Sequence, residues 1–214
     1  ATRVGRLAAG EQVVLASPTN WLAHTAVQTV RVSGRPEVRL GRSLDYLLRY
    51  PYGCLEQTVS GAFPLLRLPE LAAGAIGREE TDRLLRAAVL RVLSMQRDQG
   101  FVLWPQSNQR NTWAGLYATH FLVECRKAGL EIPDDRLQAA LQWARSLLAT
   151  AVGAEADSDA WLDDMETRAY VCHVLARAGT PEVGWTARLH EQGARLTAGG
   201  RAHVAAALLL SGQP

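Results

Sequence analysis

Cysteine is scarce in this chain: Cys54, Cys125 and Cys172 are the only three in 214 residues, with no CxxC spacing. An odd, scattered set excludes a disulfide scaffold, and without clustered histidines it suggests no zinc site. Neither a metal nor a cofactor is expected. Charge of one sign is lacking as well, since 23 basic and 21 acidic side chains leave a formal charge of +2. Such a balance creates no field to attract a phosphate backbone or an anionic membrane, so nucleic acid is not expected as a partner. Long apolar runs are missing. The longest, Val204 to Leu210, is far short of the roughly 20 residues that cross a bilayer, and Ala1-Thr2-Arg3-Val4-Gly5 does not open a signal peptide. The segment therefore reads as soluble, with no direct membrane contact. It has no initiator methionine and stops at Ser211-Gly212-Gln213-Pro214 straight after an apolar helix, which leads us to expect an excised part of a longer chain.

What is present is enough apolar residue, 48% against 21% charged, to build one domain with a real core and to exclude disorder. Residues 1–40 differ from the rest. Val13-Val14-Leu15 and Thr25 to Ser33 carry β-branched residues in near alternation, with turn signals at Gly10, Pro18-Thr19-Asn20 and Gly34-Arg35-Pro36. We read two or three strands there. So few strands cannot bury their own apolar face, so residues 1–40 are expected to be the end of a neighbouring β domain.

Over 41–214 the period becomes helical. Leu84, Leu85, Ala88, Val89, Val92 and Leu93 line one helix face, behind the acidic start Glu79-Glu80-Thr81-Asp82. Further helices are expected from Thr112 to Lys127, from Pro133-Asp134-Asp135 through Leu148, from Glu166 to Ala178 and from Arg201 to Leu210. Arg168-Ala169, Val171, Leu175 and Gly179 match Arg201-Ala202, Val204, Leu208 and Gly212 in register. Helices of similar length repeated between glycine turns suggest stacked antiparallel hairpins. The expected fold is mainly α, a partial α/α toroid of antiparallel helical hairpins preceded by a short β-strand segment. In the intervening loop Asp98 to Pro105, an apolar residue after the Gly100 turn can plug a hairpin end.

One stretch carries chemistry: Arg49-Tyr50-Pro51-Tyr52-Gly53-Cys54-Leu55-Glu56-Gln57-Thr58. Pro and Gly ahead of Cys54 make a turn, and the apolar pattern resuming at Val59 puts Cys54 at the first turn of a helix. The helix dipole and the unpaired N–H groups there favour a thiolate, and Gln57, three residues on, comes round to the same face. A thiolate against a carboxamide can attack it and expel ammonia, leaving an internal thioester between Cys54 and Gln57. The blander reading of the same pair is a small residue at a helix start with Gln57 as its capping-box partner.

The Tyr-Pro-Tyr-Gly-Cys-Leu-Glu-Gln form resembles the thioester domain of the alpha-2-macroglobulin and complement thioester protein superfamily, in its bacterial version. Gly100-Phe101-x-x-Trp104-Pro105, Asn111-Thr112-Trp113-Ala114 and the Trp143 helix are similar to that family too, extending the likeness from about Leu44 to Gly179. The resemblance implies a broad-spectrum protease trap rather than an enzyme. A target protease cuts a bait region elsewhere in the parent chain, and the exposed thioester then acylates a lysine of that protease. It implies neighbouring macroglobulin and β domains as partners and the bacterial periplasm as location, with any inner-membrane anchor on the parent. It also implies a toroid short of its last hairpins. A thiol of pKa near 8.5 is a far better leaving group than an amine, so no cofactor is required. A lysine of pKa about 10.4 is neutral in only roughly one molecule in 2,500 at pH 7, so capture relies on proximity.

Some complement proteins of this superfamily redirect the acyl group to hydroxyls with a loop histidine, and the corresponding stretch here, Ala151 to Leu162, contains none. The expectation is direct transfer to amines. His120 and His173 fall within helices and read as core or boundary residues, as Cys125 and Cys172 read as buried thiols. Asp163-Asp164, the acidic pair that an α/α toroid enzyme would need, looks like a helix N-terminus. The alternative function is a non-covalent protein-interaction α/α module in which Cys54 is inert.

Overall fold

Seven α-helices dominate the computed structural model, which describes residues 5–15, 30, 32, 53–66, 77–150 and 158–212. They are α1 (Leu55–Ala62), α2 (Arg78–Ser94), α3 (Thr112–Lys127), α4 (Asp134–Ala149), α5 (Asp159–Arg177), α6 (Val183–Glu191) and α7 (Ala198–Leu210). A 3₁₀ turn, Phe63–Leu66, continues α1, and a second, Gly193–Arg195, precedes α7. Between α2 and α3, β1 (Gln96–Arg97) and β2 (Gly100–Phe101) form a two-stranded antiparallel ribbon, Gln96 facing Phe101 and Arg97 facing Gly100.

The chain divides into two units, Ala1–Val38 and Arg39–Pro214. In the first, Val13–Leu15 is exposed and forms no strand, which corrects the expectation for that stretch. No partner strand pairs with it among the described residues, and β-branched residues extend stably only where a neighbouring strand gives them something to pack on. Thr25 to Ser33 lies outside the described residues apart from Val30 and Val32, both exposed.

In the second unit the odd-numbered helices form one row and the even-numbered a second. Contacts run α1 to α3, α3 to α5 and α5 to α7; α2 leans on α1 and α3, α4 on α3 and α5, and α6 on α5 and α7. This is the two-layer alternation of an α/α toroid, as expected. Sequence explains which helix goes where. Helix α3 is buried from Ala114 to Cys125 except at Tyr117 and His120, and α5 at Trp161, at Met165 and from Arg168 to Ala176 except at His173, so both are covered on more than one side. Helices α2 and α4 carry single stripes, Leu85, Val89 and Val92 in one and Leu137, Ala140, Leu141, Ala144 and Leu148 in the other. A stripe can cover only one side, so these helices take the outer row.

Helix ends follow the glycines. Past α3, Gly129 sits at φ +87° and donates to Arg126 while Leu130 donates to the Cys125 carbonyl. Past α5, Gly179 at φ +82° and Thr180 repeat the pattern on Ala176 and Leu175. Both are Schellman motifs, which need the left-handed backbone that glycine adopts without strain. Helix α5 starts at Asp159, earlier than expected, with the Ser158 side chain accepting from the Trp161 N–H at 3.2 Å. Asp163-Asp164 is consequently not a helix N-terminus. Asp164 lies inside α5 and accepts from the fully buried Arg168 at 2.8 Å, one turn on.

The Gly100 to Pro105 loop does plug a hairpin. Phe101 and Val102 are buried, and the Phe101 ring meets Trp143 edge-on at 6.1 Å. Trp143 fills space that side chains at two glycines would need: a Cβ at Gly100 or at Gly115 would stand 2.4 or 2.5 Å from the indole.

Candidate functional site

Cys54 is the N-cap of α1, at φ −62° and ψ 174°, as the spacing predicts. Among the described residues it joins no disulfide, and it is half-buried. The Cys54 N–H donates to Oε1 of Gln57 at 3.1 Å, and the Gln57 backbone N–H faces the Cys54 side chain in the reciprocal arrangement of a capping box. The two residues picked out from the sequence are therefore brought together. The bland and the reactive readings share this geometry, because the contact that caps the helix also holds a carboxamide beside a thiol.

Three contacts fix the turn. Leu55 N–H donates to the Leu103 carbonyl at 2.9 Å, fastening the helix start to the Gly-Phe-x-x-Trp-Pro loop. Arg91 of α2 reaches the Gly53 carbonyl at 3.4 Å. Leu55 and Val59, completely buried, anchor the rest of α1 in the core, while Glu56 and Gln57 are exposed. Gly53 is packed close as well: a Cβ there would stand 3.0 Å from the Gln57 Cβ and 3.1 Å from the Thr58 nitrogen. Tyr50, Pro51 and Tyr52 lie outside the described residues.

The other two thiols differ from Cys54. Burial pushes Cys125 up to about 12 and Cys172 to about 11, so both are protonated and inert at neutral pH. This matches their sequence reading.

A second cluster lies away from Cys54. A cavity of about 670 Å³ is lined by Phe63 and Leu66 on one side and His120, Glu124, His173 and Arg177 on another. His173 and His203 face each other, Nδ1 to Nδ1, at 2.9 Å, and His120 Nδ1 lies 3.1 Å from the Tyr170 hydroxyl. Burial, then the neighbouring positive charges, pushes His120 and His173 down to about 4. His120 and His173 are satisfied helical histidines, as read from the sequence. Their meeting with His203 was not foreseen, because no local pattern links positions 30 and 50 residues apart. Among the described residues no three His, Cys, Asp or Glu side chains converge to hold a metal ion.

No protein-family profile matches the chain. An alpha-2-macroglobulin of Escherichia coli K12 is 38% identical over 112 residues, covering 50% of this chain and 7% of that protein. One from Xylella fastidiosa is 29% identical over 178 residues, covering 79% and 11%. Among solved structures, native Escherichia coli alpha-2-macroglobulin, seen by cryo-electron microscopy, superposes with a TM-score of 0.71 at 29% identity over 84% of this chain and 12% of that one. The chain is homologous to a segment of the bacterial alpha-2-macroglobulins. The matched segment falls in the C-terminal part, since a crystal structure of the Escherichia coli protein running from its MG7 domain to the C-terminus gives the same TM-score, 0.71, over 84% of this chain and 30% of that one. Salmonella alpha-2-macroglobulin reacted with methylamine superposes at 0.69 with 28% identity, over 84% of this chain and 12% of that one. This chain spans about a tenth of the length of these alpha-2-macroglobulins.

Proposed function

We propose that Cys54 and Gln57 form an internal thioester and that this chain is the thioester-bearing part of a bacterial protease trap. The Cys54 thiolate attacks the Gln57 side-chain carbonyl carbon, a sulfur–carbon bond forms, and the amide nitrogen leaves as ammonia with the thiol proton. After activation a protease lysine attacks the same carbon through its neutral amine. An amide forms, the sulfur–carbon bond breaks, and the amine proton returns to the thiolate. Nothing turns over, so the reagent is single-use and the protein inhibits rather than catalyses.

The observation that carries this reading is the 3.1 Å hydrogen bond from Cys54 to the Gln57 carbonyl oxygen, on a helix start pinned by Leu103 and Arg91. Homology supports it further, because relatives of similar fold include one reacted with methylamine and Escherichia coli proteins activated by trypsin and by porcine elastase. We assign residues 1–40 to the end of a neighbouring β domain and 41–214 to the thioester domain. Partners are then the attacking proteases, bound through lysine, and the macroglobulin and β domains of the parent. The parent works in the periplasm, and any inner-membrane anchor belongs to another part of it; among the described residues no helix is long and apolar enough to cross a membrane. Acyl transfer goes to amines, with little ester formation.

The test is intact mass and peptide mapping across Tyr52 to Thr58 before and after methylamine, on this chain and on the parent protein. The expected result is a deficit of one ammonia, with Cys54 unreactive until methylamine arrives and Gln57 becomes methylamidated. An unmodified Gln57 beside a free Cys54 in the intact parent overturns the reading and leaves a non-covalent interaction module.

A further inference from the structure

No step of the thioester chemistry proposed above uses the histidine cluster, which sits on the seam between α5 and α7 and borders a cavity. His173 on α5 and His203 on α7 approach Nδ1 to Nδ1 at 2.9 Å. At that distance one nitrogen must donate and the other accept, so one Nδ1 carries no proton. Protonating both rings turns a hydrogen bond into two N–H groups and two charges face to face. His120 on α3 joins them, 5.2 Å from the His173 ring and 5.8 Å from Tyr170, and Tyr170 stacks on His203 at 4.7 Å.

The carboxylates around the cluster offset this only in part, and burial outweighs them. Glu124 of α3 lies 3.9 Å from His120 Nε2 but is already held by Arg177 of α5 at 2.7 and 2.5 Å, and Arg177 itself adds positive charge. Lys127 of α3 lines the same cavity. Glu166 of α5, the carboxylate that acts on His203, accepts from the Thr197 N–H at the start of α7, at 2.8 Å. Burial is the first cause that holds all three imidazoles below their ordinary range, which fits rings kept neutral by their surroundings. The cavity beside His120 and His173 gives protons a way in.

We infer that His120, His173 and His203 form an acid-operated latch: neutral, they clamp α7 to α5, and protonated, they loosen that seam. The inference concerns the helical unit alone and stands or falls separately from the thioester.

The experiment is an NMR titration of the histidine ring signals in the full 214-residue chain from pH 7.5 to 4.5. Amide exchange of Val204 to Leu210 is followed alongside and corrected for the intrinsic pH dependence. Protection of α7 should drop by about tenfold or more between pH 6.5 and 4.5, as the rings of the opened seam, at the ordinary histidine pKa of about 6.5, take up protons that the closed seam keeps off. His203→Gln, neutral at that position and still able to hydrogen-bond His173, should lose several-fold less protection than the wild-type chain, the remaining loss belonging to His120 and His173. Should that variant not fold, His173→Gln gives the same comparison. Flat protection in the wild-type chain overturns the latch, and so does an equal loss in the glutamine variant, which would show that the His173–His203 pair contributes nothing to the acid response.

Discussion

The Cys54 N–H and the Gln57 Oε1 stand 3.1 Å apart, closing the first turn of α1 on itself. The same bond polarises the carbonyl that the thiol would attack, so capping and reactivity are separable only by chemistry. Cys54→Ser does this. Serine is a good N-cap, so the helix should keep its stability to within ~0.5 kcal/mol or gain slightly. An alkoxide is not available at neutral pH, and methylamine incorporation at Gln57 in the parent protein should vanish. Thermal melts paired with mass mapping check both halves; full incorporation in the serine variant would show that sulfur is not the acyl carrier.

Gly53 supplies the second prediction. A Cβ there would press on the Gln57 Cβ at 3.0 Å and on the Thr58 nitrogen at 3.1 Å. In Gly53→Ala those neighbours must give by a few tenths of an ångström, and Gln57 is the one free to swing outward. We expect a folded protein, destabilised by ~1 kcal/mol, in which thioester formation falls severalfold. The readout is the fraction of protein carrying the ammonia deficit. A normal fraction would mean that Gln57 tolerates the displacement.

The parts of this site legible in the sequence are the local ones. Cys54 and Gln57 are one helical turn apart, so their spacing alone brings them together. Arg91, 38 residues from Gly53, and Leu103 complete the turn through tertiary packing that no period reveals. The same division runs through the fold. Helices with a long stripe and a glycine stop, such as α3 before Gly129, were readable to the residue. Helix α6 was missed, being short, with only Thr186 and Leu189 buried and Gly184 near its start. The start of α5 was placed too late because Asp163-Asp164 imitates a first-turn acidic pair. Asp164 is there to face Arg168, a partnership visible only once Arg168 is known to be buried.

Thiol accessibility gives the third prediction. With Cys125 pushed up to about 12 and Cys172 to about 11, both by burial, their thiolate populations at pH 8 are negligible and reagent cannot reach them. In chain lacking the thioester, an alkylating agent at pH 8 should label Cys54 alone, the other two reacting only on addition of denaturant. Peptide mapping after brief labelling decides it. Rapid native labelling of Cys125 or Cys172 would show that α3 or α5 opens locally far more readily than its burial implies.

Arg168 gives the fourth. Its side chain is completely buried and donates to the carbonyls of Leu148 at 2.9 Å and Thr150 at 2.9 Å, to Asp164 at 2.8 Å, and lies 4.6 Å over the Trp185 ring. It thus satisfies the end of α4, where the last carbonyls of a helix have no partner of their own, and joins α4, α5 and α6 at one point. Arg168→Ala strips those carbonyls, leaves Asp164 without its partner and opens a void beneath Trp185, so we expect a loss of ~3–5 kcal/mol. Arg168→Lys keeps the charge but cannot span three acceptors in different directions, and should recover only part of that loss. Denaturant unfolding of the two variants beside the wild-type chain measures the difference. If Lys restores stability in full, charge alone is what Arg168 contributes, and the fork of hydrogen bonds to α4 is incidental.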